Sequence, residues 1–424
     1  MVNILNNLKY IIMCGEEGTC KTPLNELRED AHKHYDEASK AIHHWSSEIP
    51  RAIDFYYNER ERQDNVEVQY LQLLNDIIEN GVQKLDRTGT GTISVFGRQL
   101  RHKMKNGFPL LTTKKMSWKS MITELLWFLE GRTDLRWLLE RKCYIWVGDA
   151  YKRYEKYANS LEEPDYSVHV EDPKDGVTRV LTREEFIDAI LSDDEFNKRW
   201  GDFGPIYGWQ WRNWTSVGYV GEIRVEGYID QIRDLIKNLK ENPDSRRLMV
   251  SAWNVGNLDD MLLPPCHYGF QVYTRKLSQS ERFQIFSEKT GSHMHHDHIE
   301  MEMDEMGIPK RAISLMFNAR SQDVPLGTPF NISSYALLLE IIGRMVNMVP
   351  DELIGNLGDC HIYLNQVDGV MEQLKRIPYR FPKIEIDESV DFSSLNSFLN
   401  SVDKDKFKLI EYKHYDKIDF PLSN

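Results

Sequence analysis

The chain has 424 residues, 41% hydrophobic and 28% charged, which is enough apolar material for a large folded core. Its net charge of −13 argues against a general nucleic-acid binder, because an acidic surface repels phosphate, and no apolar run reaches the ~18 residues of a membrane span. Five dispersed cysteines (Cys14, Cys20, Cys143, Cys266, Cys360) without a CxxC pair do not read as a disulfide framework or a zinc site, and fit a reducing compartment.

Residues 1–64 are polar and rich in charge and read as an accessory extension. Ile4 to Met13 is mildly apolar but lacks a basic leader, so a cytoplasmic protein is expected. Asp30 to Trp45 predicts a helix carrying four histidines. The core, residues 65–424, opens with Val66, Tyr70, Leu73, Leu74, Ile77 and Ile78 at helical spacing, and Gly81 is placed to end that helix. Thr90 to Gly97 alternates like a strand. Ser117 to Glu130 predicts a helix, and its run Leu125-Leu126-Trp127-Phe128-Leu129 draws Glu124 into the interior. Residues 152–200 are highly charged and read as an insertion. Ile229, Ile232, Ile236 and Leu239 mark a further helix. Arg247 to Asn254 and Gly269 to Arg275 predict strands on either side of a Pro-Pro-Cys-His corner. A second insertion at 276–310 is centred on the histidine-rich run His293 to His298. Ile313 to Ala319 reads as a strand, Asn331 to Asn347 as an apolar helix opened by Asn331, and His361 to Ile377 as an amphipathic helix. Strands and helices mixed without regular alternation indicate an α+β fold.

The corner Leu263-Pro264-Pro265-Cys266-His267 holds one side chain in a set direction, because two prolines fix the backbone. A cysteine there is a candidate nucleophile if positive charge lowers its pKa, and otherwise a small buried apolar residue. Arginines suited to phosphate stand in three segments: Arg87 in a Gly/Thr loop, Arg246-Arg247 before a strand, and Arg320-Ser321-Gln322-Asp323 after one. Adjacent strand residues point to opposite faces, so Arg246 and Arg247 need a bend in the backbone to reach one ligand. Glu124, in an apolar run, is expected to have a raised pKa useful for proton transfer. Tyr207 sits in the tight turn Gly204-Pro205-Ile206-Tyr207-Gly208.

Together these segments resemble the thymidylate synthase family. The runs that carry the resemblance include Asp86-Arg87-Thr88-Gly89-Thr90-Gly91, Glu124 to Leu129, Gly204 to Gly208, Pro243 to Arg247, Ser251 to Gly256, Pro265-Cys266-His267, Pro329-Phe330-Asn331-Ile332 and His361-Ile362-Tyr363. They stand in the family's order. The resemblance implies a large twisted mixed sheet with helices on one side and the other face buried in a homodimer. It implies dUMP as substrate and 5,10-methylenetetrahydrofolate, a reduced folate, as co-substrate. Cys266 resembles the nucleophile that adds to C6 of the pyrimidine, with Glu124, Tyr207 and His267 as its catalytic neighbours. Arg87, Arg320 and Ser321 resemble phosphate ligands, and Arg246 and Arg247 the pair lent across a dimer. Asn331 resembles the amide that reads N3 and O4 of uracil; His361 and Tyr363 resemble ribose contacts. Lys114, Ile145, Trp146, Leu263, Asp323 and Gly327 match folate-side positions.

Two departures bear on the last chemical step. The chain closes with Pro421-Leu422-Ser423-Asn424 instead of a short apolar tail, and Val147-Gly148-Asp149 replaces the family's acidic, Trp-containing stretch. A wetter site would let water rather than hydride capture the intermediate, so dUMP hydroxymethylation is the alternative to methylation. A non-catalytic RNA- or metal-binding role on the same scaffold is a further alternative, the metal version motivated by His293 to His298. Their spacing matches no closed site and reads first as a solvated loop, so no metal is expected.

Overall fold

The computed structural model describes residues 65–85, 89–163, 165–172, 176–220, 223–292 and 298–423. The helix expected at 30–45, the loop residue Arg87, and His293 to Asp297 lie outside them.

Helix α1 (Val66–Asn80) starts where the Asn65 side chain accepts the N–H groups of Glu67 and Val68, and it turns Tyr70, Leu73, Leu74 and Ile77 to the core. Gly81 ends it, donating its N–H to Ile77 O at 2.9 Å. Strand β1 (Val82–Lys84) and the long strand β2 (Thr92–Lys103) follow. Helix α2 (Trp118–Leu129) buries Leu125 to Leu129 as expected. The short helix α3 (Tyr207–Arg212) grows out of the Gly-Pro-Ile turn. A hairpin, Trp214–Val220 with Ile223–Ile229, precedes helix α4 (Gln231–Glu241). Ile229 thus belongs to an exposed hairpin strand and not to the helix that its spacing suggested. Strands β3 (Met249–Ser251), β4 (His267–Lys276) and β5 (Arg311–Asp323), helix α5 (Gly327–Met345) and strand β6 (Val349–Tyr363) complete the frame.

Among the described residues, six strands form one mixed sheet in the order β1-β2-β6-β5-β4-β3. Only β6 and β5 run parallel; the other neighbours are antiparallel. Register sets the faces. Leu353 pairs with Leu315, and Gly355 with Phe317 and Leu100; Phe317 stacks on Tyr335 of α5 with ring centroids 4.7 Å apart. One continuous apolar core joins this face to α1, α2 and α5. The opposite face presents Arg101, Gln271, Tyr273, Ser314, Met316 and Ile354 beside an open groove. No helix of the described residues is long and apolar enough to cross a membrane.

Three further expectations need correction. His361 does not open a helix. It lies in β6, and the helix that follows runs only from Val367 to Leu374, after a 3-10 turn at Leu364–Gln366. The run Gly358-Asp359-Cys360-His361-Ile362-Tyr363 reads in sequence as a helix start, yet it is the end of a strand paired on both sides through Asp359, Cys360 and His361, where backbone pairing outweighs side-chain pattern. Asn331 does not open α5, which begins four residues earlier at Gly327; Pro329 is tolerated in a first turn whose N–H groups have no helical partner. Arg246 and Arg247 are not on a strand. Both are exposed in the turn before β3, where Arg247 N–H donates to Ser245 Oγ at 3.2 Å.

Residues 152–200 pack into the main core. Tyr154 is fully buried against Phe186, Phe196 and Trp200. The stretch 276–310 differs: helices Gln279–Thr290 and Ile299–Glu305 enclose a second small core of Phe286, Ile299, Met303 and Ile308.

Candidate active site

Cys266 ends the proline corner immediately before β4. Its carbonyl accepts the N–H of Arg320 at 2.8 Å, and its own N–H donates to Tyr207 Oη at 2.7 Å. The Arg320 guanidinium folds over the corner, with Nε 2.9 Å from Pro265 O and Nη2 2.8 Å from Pro264 O. Its other face stacks on Trp253, 5.4 Å from the ring centroid. Strands β4 and β5 thereby fix a cation over the corner that carries the half-buried Cys266. The other two described cysteines, Cys143 and Cys360, are fully buried, and burial pushes both thiols up to about 12. They are poor nucleophiles; among the described cysteines, Cys266 alone is not fully buried.

Gly358 makes the approach of β6 to Arg320 possible. A Cβ at that position would stand 2.6 Å from Arg320 O.

Tyr207 is buried, and its phenol is held well above its ordinary pKa by burial and then by the Cys266 charge. It stacks on His267 with centroids 4.3 Å apart. His267 Nδ1 lies 2.8 Å from Tyr335 Oη, and burial pushes the imidazole down to about 3, so it is neutral at working pH.

Glu124 receives the Trp146 Nε1–H at 2.8 Å. Burial raises its carboxyl to about 7, with the indole bond opposing. This is the raised value that its apolar sequence context suggested, and it suits a group that exchanges protons near neutrality. Trp146 packs between Phe203, at 5.4 Å, and Tyr207, at 6.1 Å, linking Glu124 to the cysteine side of the site.

A second cluster sits at the ends of β5 and β6. Asp323 pairs in register with His361. Its carboxylate accepts the Leu326 N–H at 3.0 Å and Gln366 Nε2–H at 3.0 Å, and burial raises its pKa. Lys114, buried, donates to Pro325 O and lies over the Phe420 ring; burial lowers its ammonium to about 7, with Asp323 opposing. His361 contacts Asp359 at 3.1 Å and the edge of the Tyr363 ring. Ile145 and Leu263 are half-buried on the apolar core, and Gly327 starts α5. Ser321 follows Arg320 on β5, and Asn331 donates Nδ2–H to Gln322 Oε1 at 3.3 Å. The closing segment folds back here: Gln366 also donates to Pro421 O at 3.1 Å, and Asn365 to Ser423 Oγ at 3.3 Å.

Cys266, Tyr207, His267, Arg320, Glu124 and Trp146 therefore connect, and Asp323, Lys114, His361 and Asn331 gather along the same strand ends. Arg246 and Arg247 stand apart. Met249 pairs with Gln271, so along β4 the turn that holds them is about 20 Å from Cys266. Sequence reasoning passed over Gln322, Gln366 and Tyr335. The two glutamines carry no motif signal of their own and are recognisable only from what they touch.

The family model described as thymidylate synthase matches residues 68–424. The chain belongs to the thymidylate synthase family. A thymidylate synthase of Phytoplasma mali is 38% identical over 346 residues, 82% of this chain and 96% of that protein. That of Listeria innocua is 40% identical over 324 residues, 76% of this chain and 90% of that protein. That of Sinorhizobium fredii is 36% identical over 361 residues, 84% of this chain and 98% of that protein. The family is one of one-carbon methyltransferases, and relatives named in this way across several bacteria favour methylation over the hydroxymethylation alternative.

Proposed function

We propose that this enzyme converts dUMP to dTMP with 5,10-methylenetetrahydrofolate, through a covalent bond between Cys266 Sγ and C6 of the uracil. The observation that carries this reading is the half-buried Cys266 on a rigid corner clasped by Arg320, in a chain whose other described thiols are sealed in the core. The Arg320 guanidinium donates to the nucleotide's phosphate together with Ser321 and Arg87. Arg246 and Arg247, remote from their own Cys266, serve a partner's phosphate across a homodimer built on the open sheet face. The exposed Tyr273 on that face, with Met316 beside it, supports that assembly.

The residues then share the chemistry. Addition of Cys266 Sγ to C6 makes C5 an enolate carbon, dividing one hard substitution into two easier steps. The folate supplies the one-carbon unit and the hydride. Glu124, titrating near neutrality, exchanges the proton at O4 through the site's hydrogen-bond network, and Tyr207 serves the proton lost from C5. His361 and Tyr363 hold the ribose. Ile145, Trp146 and Leu263 give the folate ring an apolar wall, while Asp323, Lys114 and Gly327 line its polar edge; an apolar wall beside a buried carboxyl fits a pterin with ring N–H donors. Elimination of Sγ from C6 restores the ring and frees the enzyme.

The test is to incubate the protein with dUMP and methylenetetrahydrofolate. Dihydrofolate appearing in step with dTMP is expected; tetrahydrofolate with 5-hydroxymethyl-dUMP overturns methylation.

A further inference from the structure

Gln322 is 2% exposed, yet it lies between a catalytic strand and α5. Its Oε1 accepts two hydrogen bonds, from Thr328 Oγ1 at 2.8 Å and from Asn331 Nδ2 at 3.3 Å, and its buried Nε2 has no hydrogen-bond partner among the described residues. Thr328 is itself fully buried in the first turn of α5. One carbonyl oxygen has two lone pairs, so this acceptor is saturated.

The consequence falls on Asn331. With one N–H committed to Gln322, its amide offers Oδ1 and the second N–H as an in-plane acceptor–donor edge. Uracil presents N3–H and O4, a donor beside an acceptor, which matches that edge. Cytosine presents a bare N3 and an amino group, which needs the amide turned over. Turning Asn331 alone would face two carbonyl oxygens, its own Oδ1 and Gln322 Oε1, across that 3.3 Å contact. The edge reverses only if the buried Gln322 reverses with it.

We propose that Gln322 is a positioning residue that holds the Asn331 amide in the orientation that accepts uracil and refuses cytosine. The proposal rests on the reading of Asn331 as the group that meets the base. The experiment compares dUMP with dCMP, as substrate KM and as competitive inhibition constant, in the wild type and in Gln322→Leu, Gln322→Glu and Asn331→Ala. Gln322→Leu frees the amide to turn, so the preference for dUMP over dCMP drops by about tenfold, the value of roughly one hydrogen bond. Its kcat at saturating dUMP stays within about threefold, since no reacting atom is touched. Gln322→Glu keeps an acceptor facing Asn331 and retains the preference. A preference unchanged in Gln322→Leu, or dUMP and dCMP binding weakened equally, overturns the proposal. Should Gln322→Leu not fold, Gln322→Met is read by the same ratios. Asn331→Ala separates the two claims: if it leaves the ratio untouched, the base-reading role itself is wrong, whatever Gln322 does.

Discussion

Replacing Trp146 by Phe removes one hydrogen bond, from Nε1–H to Glu124 Oε1 at 2.8 Å, and leaves an aromatic ring against Phe203 and Tyr207. That bond favours the ionised carboxylate, whose pKa burial has already raised to about 7. A hydrogen bond to a charged group contributes about 1.5–3 kcal/mol net, and one pK unit corresponds to about 1.4 kcal/mol. Losing it should move the Glu124 titration upward by about one to two units. The assay is the pH dependence of kcat from about pH 5.5 to 9.5 at saturating dUMP and folate, following dihydrofolate absorbance. A limb near 7 is expected in the wild type; it should shift alkaline in Trp146→Phe and disappear in Glu124→Gln. A limb that stays in place in Trp146→Phe, or moves acid, refutes the assignment of that titration to Glu124. The same carboxyl has a stability signature. Between its ordinary value of 4.5 and about 7, the folded chain holds a proton that the unfolded chain has released, so this group's contribution to stability falls as pH rises through that window.

Cys266→Ala should abolish turnover while dUMP still binds, measured by calorimetry; a normal rate in Cys266→Ala excludes covalent catalysis. Glu67→Ala should destabilise the chain by about 3 kcal/mol in urea unfolding, because it strands buried donors. The Glu67 carboxylate accepts the N–H groups of Thr112 and Thr113 at 2.7 Å each and the Thr112 hydroxyl at 2.8 Å; a loss under about 1 kcal/mol would show that water replaces it. Gly358→Ala should force β5 away at Arg320 and lower kcat/KM by about tenfold or more, with a modest change in melting temperature, since its Cβ meets backbone 2.6 Å away.

The helical stripes were legible because burial on one side imposes a period. α1 and α2 lie within a residue or two of where Tyr70, Leu74 and Leu125 put them. The site was legible where rigid corners and charge-bearing motifs coincide, as at Pro265-Cys266 and Arg320. The central strand β6 was not, because Gly355 and Gly358 are chosen for close approach to Phe317 and Arg320 on a neighbouring strand, a constraint with no local period. The same holds for the start of α5, where Gly327-Thr328-Pro329 resembles a turn until the helix they begin is seen. The distance of Arg246 and Arg247 from Cys266 is likewise a matter of strand register, which adjacent residues do not record.

Among the described residues, the small apolar cluster of Phe286, Ile299, Met303 and Ile308 is separate from the principal apolar core. Polar contacts tie it to the frame: the Arg275 guanidinium of β4 pairs with Glu281 at 2.8 Å, and the Asn347 side-chain amide donates to Gly307 O at 3.2 Å. Such a module behaves as its own unit of cooperativity: it can melt and reform beneath the global transition while the sheet and the cysteine corner stay intact. Changes accumulating in that knob would therefore be tolerated by the enzyme long before changes of equal size around Phe317 and Tyr335, which leaves it an evolutionarily permissive outgrowth on a constrained frame.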